Sequence, residues 1–544
     1  SVSKIFHTRY LALSSEGLFY FSYFVDNMLK ILQHNLALSI LSGALLAVSF
    51  PFSGSITPLI FVAWIPLFVV ALRLKDQFLG WLRFYGYAYL TLLLFNIGTT
   101  WWIWNSTAGG ALMAFMCNSI LMAGALVIGF GLFKRLTAGL FLIGLGSIWI
   151  SFEFIHFNWE LSWPWLTMGN YFSTHPSWVQ WYEYTGTLGG SFWVIAINIL
   201  GVLLLLNRKS VLYSAALVMI LAAPIILSLF LNNTIECYKN PTQSIVILQP
   251  NIDPYTEKFN IDPAHQVESM LGLVRPYLHN TLAIGPETAL QEAFIEQDFN
   301  RTRSFNLLND ALTSTNSSLL IGASTFQLFN KKHSAACKAL PNGSFYESYN
   351  TALYMGNQQQ QFIHKSKLVL GVEKIPFSRW LPFLEQLSID NGGTSGSLGV
   401  ESEPKVFTFE EQAYAPIICY ESIYGAFVAE QCKKGAQLLC IITNDGWWGN
   451  TPGHKQHNQF AALRAIETRK YVVRSVNTGI SSVWNTRGEC IKQLGYDTKG
   501  VLTANVPLIN GKTFYVRFGD YLGWVSIAVF LILVVIRFRI PKNV

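Results

Sequence analysis

Charge is what this chain has least of. Only 13% of its 544 residues are Asp, Glu, Lys or Arg, and 51% are apolar; an ordinary soluble domain carries about 25% charged residues. The deficit excludes a chain that is soluble from end to end. The net charge of +7 comes with no basic stripe and no recognition motif, so nucleic acid is not an expected partner. The seven cysteines include no Cys-x-x-Cys pair, which argues against structural zinc of the usual spacing. Disulfides among Cys237, Cys337, Cys432, Cys440 and Cys490 require an oxidising compartment, and the sequence assigns none. Internal repeats, low-complexity tracts and a cleavable signal peptide are also missing, and the first apolar span is expected to serve as an uncleaved signal.

The apolar excess lies at the two ends, while residues of about 235–516 have globular composition. A membrane-spanning helix needs about 20 mostly apolar residues. Candidate spans are 31–50, 58–72, 84–100, 109–133, 137–155, 189–206, 211–231 and 521–536, and the interrupted run 10–25 reads as an interfacial helix. Basic residues test this count. Lys30, then Arg73, Lys75 and Arg83, then Lys134 and Arg135, then Arg208 and Lys209, then Arg537, Arg539 and Lys542 fall in every second connection. The alternate loops 51–57, 101–108 and 156–188 have no Lys or Arg. Eight spans with both termini in the cytoplasm put every basic cluster inside, and a miscount by one breaks the alternation. The expected domains are therefore an interfacial segment 1–30, seven spans over 31–231, an extracytoplasmic domain over 232–516, and a last span with a cytoplasmic tail over 517–544. The basic-free loops are rich in tryptophan, with Trp101, Trp102, Trp104, Trp159, Trp163, Trp165, Trp178 and Trp181. They are expected to form an aromatic belt at headgroup level or the wall of a lipid-entry groove.

The middle region alternates short apolar runs with helical stretches. Strands are expected at 244–249, 282–285, 318–322, 351–355, 416–419, 438–443 and 471–477, with 481–485 as a hairpin partner and a helix over 457–470. This is the pattern of an α/β domain whose sheets are covered by helices.

Three strand ends carry chemistry. The run Ala415-Pro416-Ile417-Ile418 stops on Cys419, where α/β sheets present reacting groups. A cysteine nucleophile needs a base for its proton and donors for the oxyanion it creates. Glu287, after Gly285-Pro286, is the candidate base; a carboxylate near pKa ~4 is expected to need partial burial to raise it toward neutrality. Lys365, after His364, is the candidate oxyanion donor, with the Tyr420 backbone N–H as a second. Taken singly, each is a common residue in a common place: a surface glutamate, a solvated lysine, an inert core thiol. Their order is what singles them out. His454 and His457 form a His-x-x-His run with no Cys or acidic partner close in sequence, so they read as a loop entering a helix rather than as metal ligands. Arg464 and Glu467 read as a structural pair on that helix.

Pro286-Glu287, His364-Lys365, Cys419-Tyr420-Glu421 and Asn444-Asp445-Gly446-Trp447-Trp448-Gly449 together resemble the nitrilase superfamily. With spans on both sides, and with Gln249-Pro250-Asn251-Ile252, Ser162-Trp163-Pro164-Trp165-Leu166 and Arg474-Ser475-Val476-Asn477-Thr478-Gly479, the chain is similar to the apolipoprotein N-acyltransferase family over about 31–536. The resemblance implies a membrane α-helical bundle plus an α/β αββα sandwich. It implies Glu287 as general base, Lys365 as oxyanion stabiliser and Cys419 as nucleophile, with Glu373, Tyr420 and Glu421 in support. It implies no cofactor and no metal. The partners it implies are a phospholipid acyl donor, a diacylglyceryl lipoprotein acceptor and the lipid bilayer, for a monomer in the bacterial inner membrane with its catalytic domain on the periplasmic side. Two departures concern the substrate lining: Val369-Leu370-Gly371-Val372 precedes Glu373 where the family usually has a Pro-Phe-Gly type run, and Phe259 is the nearest aromatic to a family tryptophan.

Two rival readings remain. A membrane-anchored amidase hydrolysing small amides would need one anchor rather than eight spans. A transporter or inert scaffold would show more ionisable residues inside its spans; here Glu153 and His156 stand near an outer end.

Overall fold

The computed structural model describes residues 34–234, 241–258, 260–356, 359–377, 397–409 and 411–539. The expected interfacial segment 1–30, Cys237, Phe259 and the first half of the Gly/Ser-rich stretch 390–403 lie outside the described residues.

Among the described residues, six helices are long and apolar enough to cross a membrane: Thr57–Leu74, Ala108–Phe133, Ala138–His156, Thr187–Leu206, Val211–Asn232 and Tyr521–Arg539. Of the eight expected spans, 31–50 and 84–100 are the two that do not qualify. Asn35–Ser49 is apolar but has 15 residues, because it is bounded by the extended residues His34 and Phe50. Gly80–Thr100 is long enough at 21 residues but carries Arg83, Tyr85, Tyr87, Tyr89, Asn96, Thr99 and Thr100. Arg83 is exposed, whereas Thr91, Asn96, Thr99 and Thr100 turn inward. Asn118 donates to Asn96 Oδ1 at 2.8 Å, and Thr91 donates to the Ser39 carbonyl at 2.9 Å. Packed helices thereby satisfy groups that lipid could not.

Between the sixth of these helices and its predecessor lies a domain of two sheets. The first contains β1 (Thr242–Gln249), β2 (Leu282–Ile284), β3 (Leu290–Ile295), β4 (Ser318–Phe329), β5 (Lys338–Ala339), β6 (Phe345–Gly356), β7 (Gln359–His364) and β14 (Gly500–Pro507), ordered β14-β1-β2-β4-β6-β5 with β3 on β4 and β7 on β6. The second is ordered β13-β12-β11-β10-β9-β8, from β8 (Phe407–Phe409), β9 (Gln412–Ile418), β10 (Leu438–Thr443), β11 (Tyr471–Val476), β12 (Ser481–Trp484) and β13 (Cys490–Leu494). Strand alternation explains the layers. Ile245 and Ile247 of β1 enter one apolar cluster with Tyr414 and Ile418 of β9 and Leu438, Cys440 and Ile442 of β10. Val246 and Leu248 face the other way, onto Val267, Met270 and Leu271 of helix Pro263–Val274. Ala415 and Ile417 of β9 likewise turn outward, onto the cluster that holds Phe460, Leu463 and Ile466 of helix Pro452–Thr468. Two sheets thus meet face to face with helices on both outer surfaces, in keeping with the expected αββα layering. The six cysteines in the described residues are free thiols.

The outer helical layer continues into the membrane bundle. Gln456 is fully buried and joins two indoles to two backbone carbonyls. It accepts from Trp102 Nε1 at 3.2 Å and Trp165 Nε1 at 2.8 Å, and donates to the carbonyls of Pro51 at 3.0 Å and Thr99 at 3.2 Å. The two expected tryptophan-belt residues Trp102 and Trp165 are therefore roofed by the α/β domain, each 1% exposed, while Trp101 and Trp104 remain exposed. The loops that grip the domain are the basic-free ones. Gln456→Ala leaves the Trp165 indole N–H and the Pro51 carbonyl without this partner, while the Trp102 indole keeps the Thr99 carbonyl at 3.1 Å, and should destabilise the protein by about 1–3 kcal/mol. The check is thermal unfolding in detergent, with a clear fall in Tm expected.

Candidate active site

The turn after β2 delivers Glu287. It crosses β4 at Gly322, where a Cβ would lie 2.5 Å from the Glu287 Cα, so only glycine admits this approach. Lys365 follows the last residue of β7, and its N–H donates to the Asn350 carbonyl of β6 at 2.8 Å. Cys419 follows the last residue of β9 with φ +51°, a conformation that costs a non-glycine residue of order 1–3 kcal/mol and persists only when its surroundings over-determine it. They do so here. The Cys419 carbonyl accepts from the Ser422 hydroxyl at 2.8 Å, and His457 Nε2 lies 3.3 Å from it. Glu421 accepts from the N–H of Ile418 at 2.8 Å and of Ser366 at 2.6 Å, tying the cysteine turn to the lysine turn. Arg464 donates to the carbonyls of Ser422 and Ile423 while paired with Glu467 at 2.7 Å.

Lys365 is 1% exposed, with Nζ 3.0 Å from Glu287 Oε1 and 2.9 Å from Glu373 Oε1. Asn350 Nδ2 donates to the same two oxygens at 2.8 and 3.0 Å, and Glu373 Oε2 accepts from the Val369 N–H at 2.8 Å. Glu287, Lys365 and Glu373 meet directly, Glu421 reaches the lysine turn through the Ser366 N–H, the Cys419 thiol feels the charges of Glu287 and Lys365, and the Tyr420 hydroxyl points elsewhere, donating to the Ser162 carbonyl of a membrane loop at 3.2 Å.

The electrostatics correct one expectation. Burial pushes the Glu287 carboxyl up, as anticipated, but Lys365, the Asn350 amide and Lys258 outweigh it and hold the group below the ordinary carboxylate range. Burial depresses Lys365, yet the Glu287 and Glu373 charges carry it well above an ordinary lysine. Burial and the Glu287 charge push the Cys419 thiol up, against the pull of Lys365 and a hydrogen bond with Thr443. The resting cluster is thus a carboxylate, an ammonium and a neutral thiol. Burial lifts Glu421 to about 7, opposed by the three backbone N–H groups it accepts from.

Three groups in the site lie beyond the residues expected from sequence. Lys258 is 5% exposed, donates to Thr288 Oγ1, and feels the charges of Glu287 and Cys419; burial lowers it to about 8. It sits in Thr256-Glu257-Lys258, a polar stretch with no sign of burial. Asn350 sits mid-strand between Tyr349 and Thr351, with nothing local to mark it. The third is a buried relay behind the cysteine turn: His457 Nδ1 lies 2.8 Å from Asp445 Oδ1, Arg474 pairs with Asp445 Oδ2, and His457 Nε2 lies 2.9 Å from Ser422 Oγ. Both His454 and His457 are inside helix Pro452–Thr468, not in a loop leading to it, because Thr451 caps the helix ahead of them.

A strand-end glutamate, lysine and cysteine in a two-sheet domain, carried on membrane-length helices, define a membrane-bound carbon–nitrogen hydrolase-type protein of the nitrilase superfamily. The comparisons agree on both halves. Residues 264–511 match the carbon-nitrogen hydrolase family, and residues 42–200 match the apolipoprotein N-acyltransferase N-terminal domain. An apolipoprotein N-acyltransferase of Chlorobaculum tepidum is 29% identical over 92% of this chain and 96% of its own length. Those of Thermotoga maritima, at 26% over 94% and 95%, and of Geobacter metallireducens, at 25% over 92% and 95%, are similar throughout. The chain thus joins an apolipoprotein N-acyltransferase N-terminal domain to a carbon-nitrogen hydrolase domain.

Proposed function

We propose that this protein moves a fatty acyl chain from a membrane phospholipid, through a thioester on Cys419, to the α-amine of an S-diacylglyceryl cysteine at the N-terminus of a lipoprotein. The observation that carries the reading is the Glu287–Lys365–Glu373 cluster buried beside the Cys419 turn, at the seam between the α/β domain and the membrane loops.

In the first step the sulfur attacks the acyl carbonyl carbon while its proton passes to Glu287. The raised thiol and lowered carboxylate mean that no thiolate waits in the resting enzyme, so proton transfer and attack go together. Lys365 and the Tyr420 N–H stabilise the oxyanion. Its collapse breaks the ester C–O bond, Glu287 returns the proton to the leaving alkoxide, and a lysophospholipid departs. In the second step the α-amine attacks the thioester, Glu287 takes the amine proton and passes it to the departing sulfur, and an amide remains. Glu373 and Asn350 keep Lys365 and Glu287 in register, and Glu421 and Tyr420 fix the cysteine turn. The reaction needs no metal or cofactor.

The basic-residue alternation supports eight spans with both termini in the cytoplasm of a bacterial inner membrane. The domains of this reading are 1–30, 31–231, 232–516 and 517–544, with 232–516 on the periplasmic side, where phospholipid and translocated lipoprotein both meet it as a monomer.

The test is incubation of the purified protein in phospholipid vesicles with a diacylglyceryl-cysteine lipopeptide. An amide-linked third acyl chain and one lysophospholipid per transfer are expected. Release of ammonia from small amides with no lysophospholipid returns the amidase reading.

Lys258 gives the first step a pH limb. Its cation is lost as pH rises through about 8, removing positive charge from the Glu287–Cys419 site. Single-turnover acylation should therefore fall above about pH 8 in the wild type, and Lys258→Met should be slower but without that limb. An identical limb in both proteins assigns it to another group.

A further inference from the structure

Beyond the reacting cluster, the loop that leaves β4 and the facing strand β6 hold a second group of chemically capable side chains. His333, Cys337 and Glu347 each offer one ligand atom, and these atoms lie within 4.8 Å of one another. Cys337 Sγ is 3.3 Å from His333 Nδ1 and 3.7 Å from Glu347 Oε1. A tetrahedral zinc ion bound to sulfur at about 2.3 Å, and to nitrogen and oxygen at about 2.0–2.1 Å, places its ligand atoms about 3.3–3.6 Å apart. The two separations at the sulfur lie close to those edges. We propose that His333, Cys337 and Glu347 form a divalent-cation site, best suited to Zn2+, with a fourth position open to solvent.

Three further observations favour a cation there. Glu347 is a buried carboxylate, 3% exposed, and among the described residues its one ion-pair partner is His333, at 3.3 Å, which is charged only when protonated. A buried carboxylate without a permanent counter-charge is costly, and a dication supplies that charge. The surroundings also orient the ligands in the manner of an outer shell. The hydroxyls of Ser334 and Tyr349 both donate to Glu347, and the His333 ring packs 4.1 Å from Phe329. Finally, a nitrogen, a thiol sulfur and a carboxylate are a donor set for zinc, and unlike the all-oxygen sets of Ca2+ and Mg2+. The His333 side chain is 46% exposed, which gives the ion an entry path and room for a water.

The site's place in the fold gives it a structural task. It pins the 330–337 loop and the short β5 onto β6, the strand that three residues later carries Asn350 against Glu287 and Glu373. Tyr349, which holds Glu347, stacks 3.9 Å from the ring of His364, the residue before Lys365. Metal occupancy would stiffen the side of the domain from which the lysine turn departs.

The experiment uses the full chain in detergent micelles, stripped with chelator, reloaded with Zn2+ or Co2+, and passed through gel filtration. One zinc per chain is expected, together with a sulfur-to-cobalt charge-transfer band in the near ultraviolet. The band should persist in Cys419→Ser and vanish in Cys337→Ser. His333→Ala, at a half-exposed position that leaves the fold intact, should weaken zinc binding on the order of 10–100-fold or more; Glu347→Gln is the riskier variant, because the carboxylate also organises its neighbours. Absence of stoichiometric zinc overturns the proposal. So does equal affinity in wild type and His333→Ala, or a sulfur band that disappears with Cys419→Ser instead.

Discussion

Cys419→Ser should abolish acyl transfer, with turnover reduced on the order of 10^5-fold or more, the scale of losing a nucleophile outright. The substitution keeps volume and leaves the backbone hydrogen bonds of the turn in place, since the Cys419 carbonyl and not its side chain holds Ser422 and His457. What changes is the acidity and reach of the attacking atom. A hydroxyl is far less acidic than a thiol, and the Glu287 carboxylate, held low by Lys365 and Lys258, is a weak base for it. Intact-mass measurement after exposure to phospholipid reads the result directly. The wild type should gain one acyl mass, removable by neutral hydroxylamine as a thioester is, and the serine variant should gain no such label. Turnover by a wild-type protein whose Cys419 never becomes acylated would remove the covalent route altogether.

Glu287→Gln should slow formation of the acyl adduct by about 10^2–10^4-fold, the usual worth of a positioned proton acceptor, while costing little stability. The reason for the second half is geometric. Lys365 keeps Glu373 at 2.9 Å, so the ammonium remains paired when Glu287 becomes neutral. Lys365→Met has the opposite profile. It leaves two buried carboxylates facing one amide, Asn350, and breaking a buried pair from the cation's side costs about 3–5 kcal/mol. The two variants are therefore separable by measuring adduct formation and thermal unfolding together: the glutamine variant slow but stable, the methionine variant slow and fragile. Adduct formation at the normal rate in Glu287→Gln would move the base elsewhere, with Lys258 the nearest alternative.

The contrast also explains which parts of the protein could be read from sequence. β1, β10 and β11 were legible because they are buried on both faces and run as unbroken apolar stretches. Cys419 was legible because such a run stops on it. β13 was not, since Cys490–Leu494 is exposed along nearly its whole length and has no alternation to detect; β7, opening on three glutamines, hides in the same way. Asn350 and Lys258 declare themselves through partners more than sixty and about thirty residues away, Glu287 and Thr288, and no local pattern encodes such a meeting. Two of the tryptophans, Trp102 and Trp165, depart from expectation for a related reason. An indole in a loop beside a span suggests a headgroup anchor, and only the Gln456 contacts reveal that Trp102 and Trp165 serve as the floor under another domain. The Glu287 acidity failed on magnitude: burial acts as expected, but two buried lysines act more strongly.

One connection has a mechanical outcome. β1 and β14, where the chain enters and leaves the α/β domain, lie side by side, with Thr242 opposite Pro507. Both tethers to the bilayer thus hang from a single sheet edge, and Gln456 moors the far side to three separate loops. A head fastened in this way has no slack to ferry cargo. If the sulfur does carry the acyl group, it stays at its berth while the spent lysolipid drifts off and the waiting amine drifts in, so the order of events is set by two-dimensional diffusion of lipidated partners rather than by any swing of the enzyme.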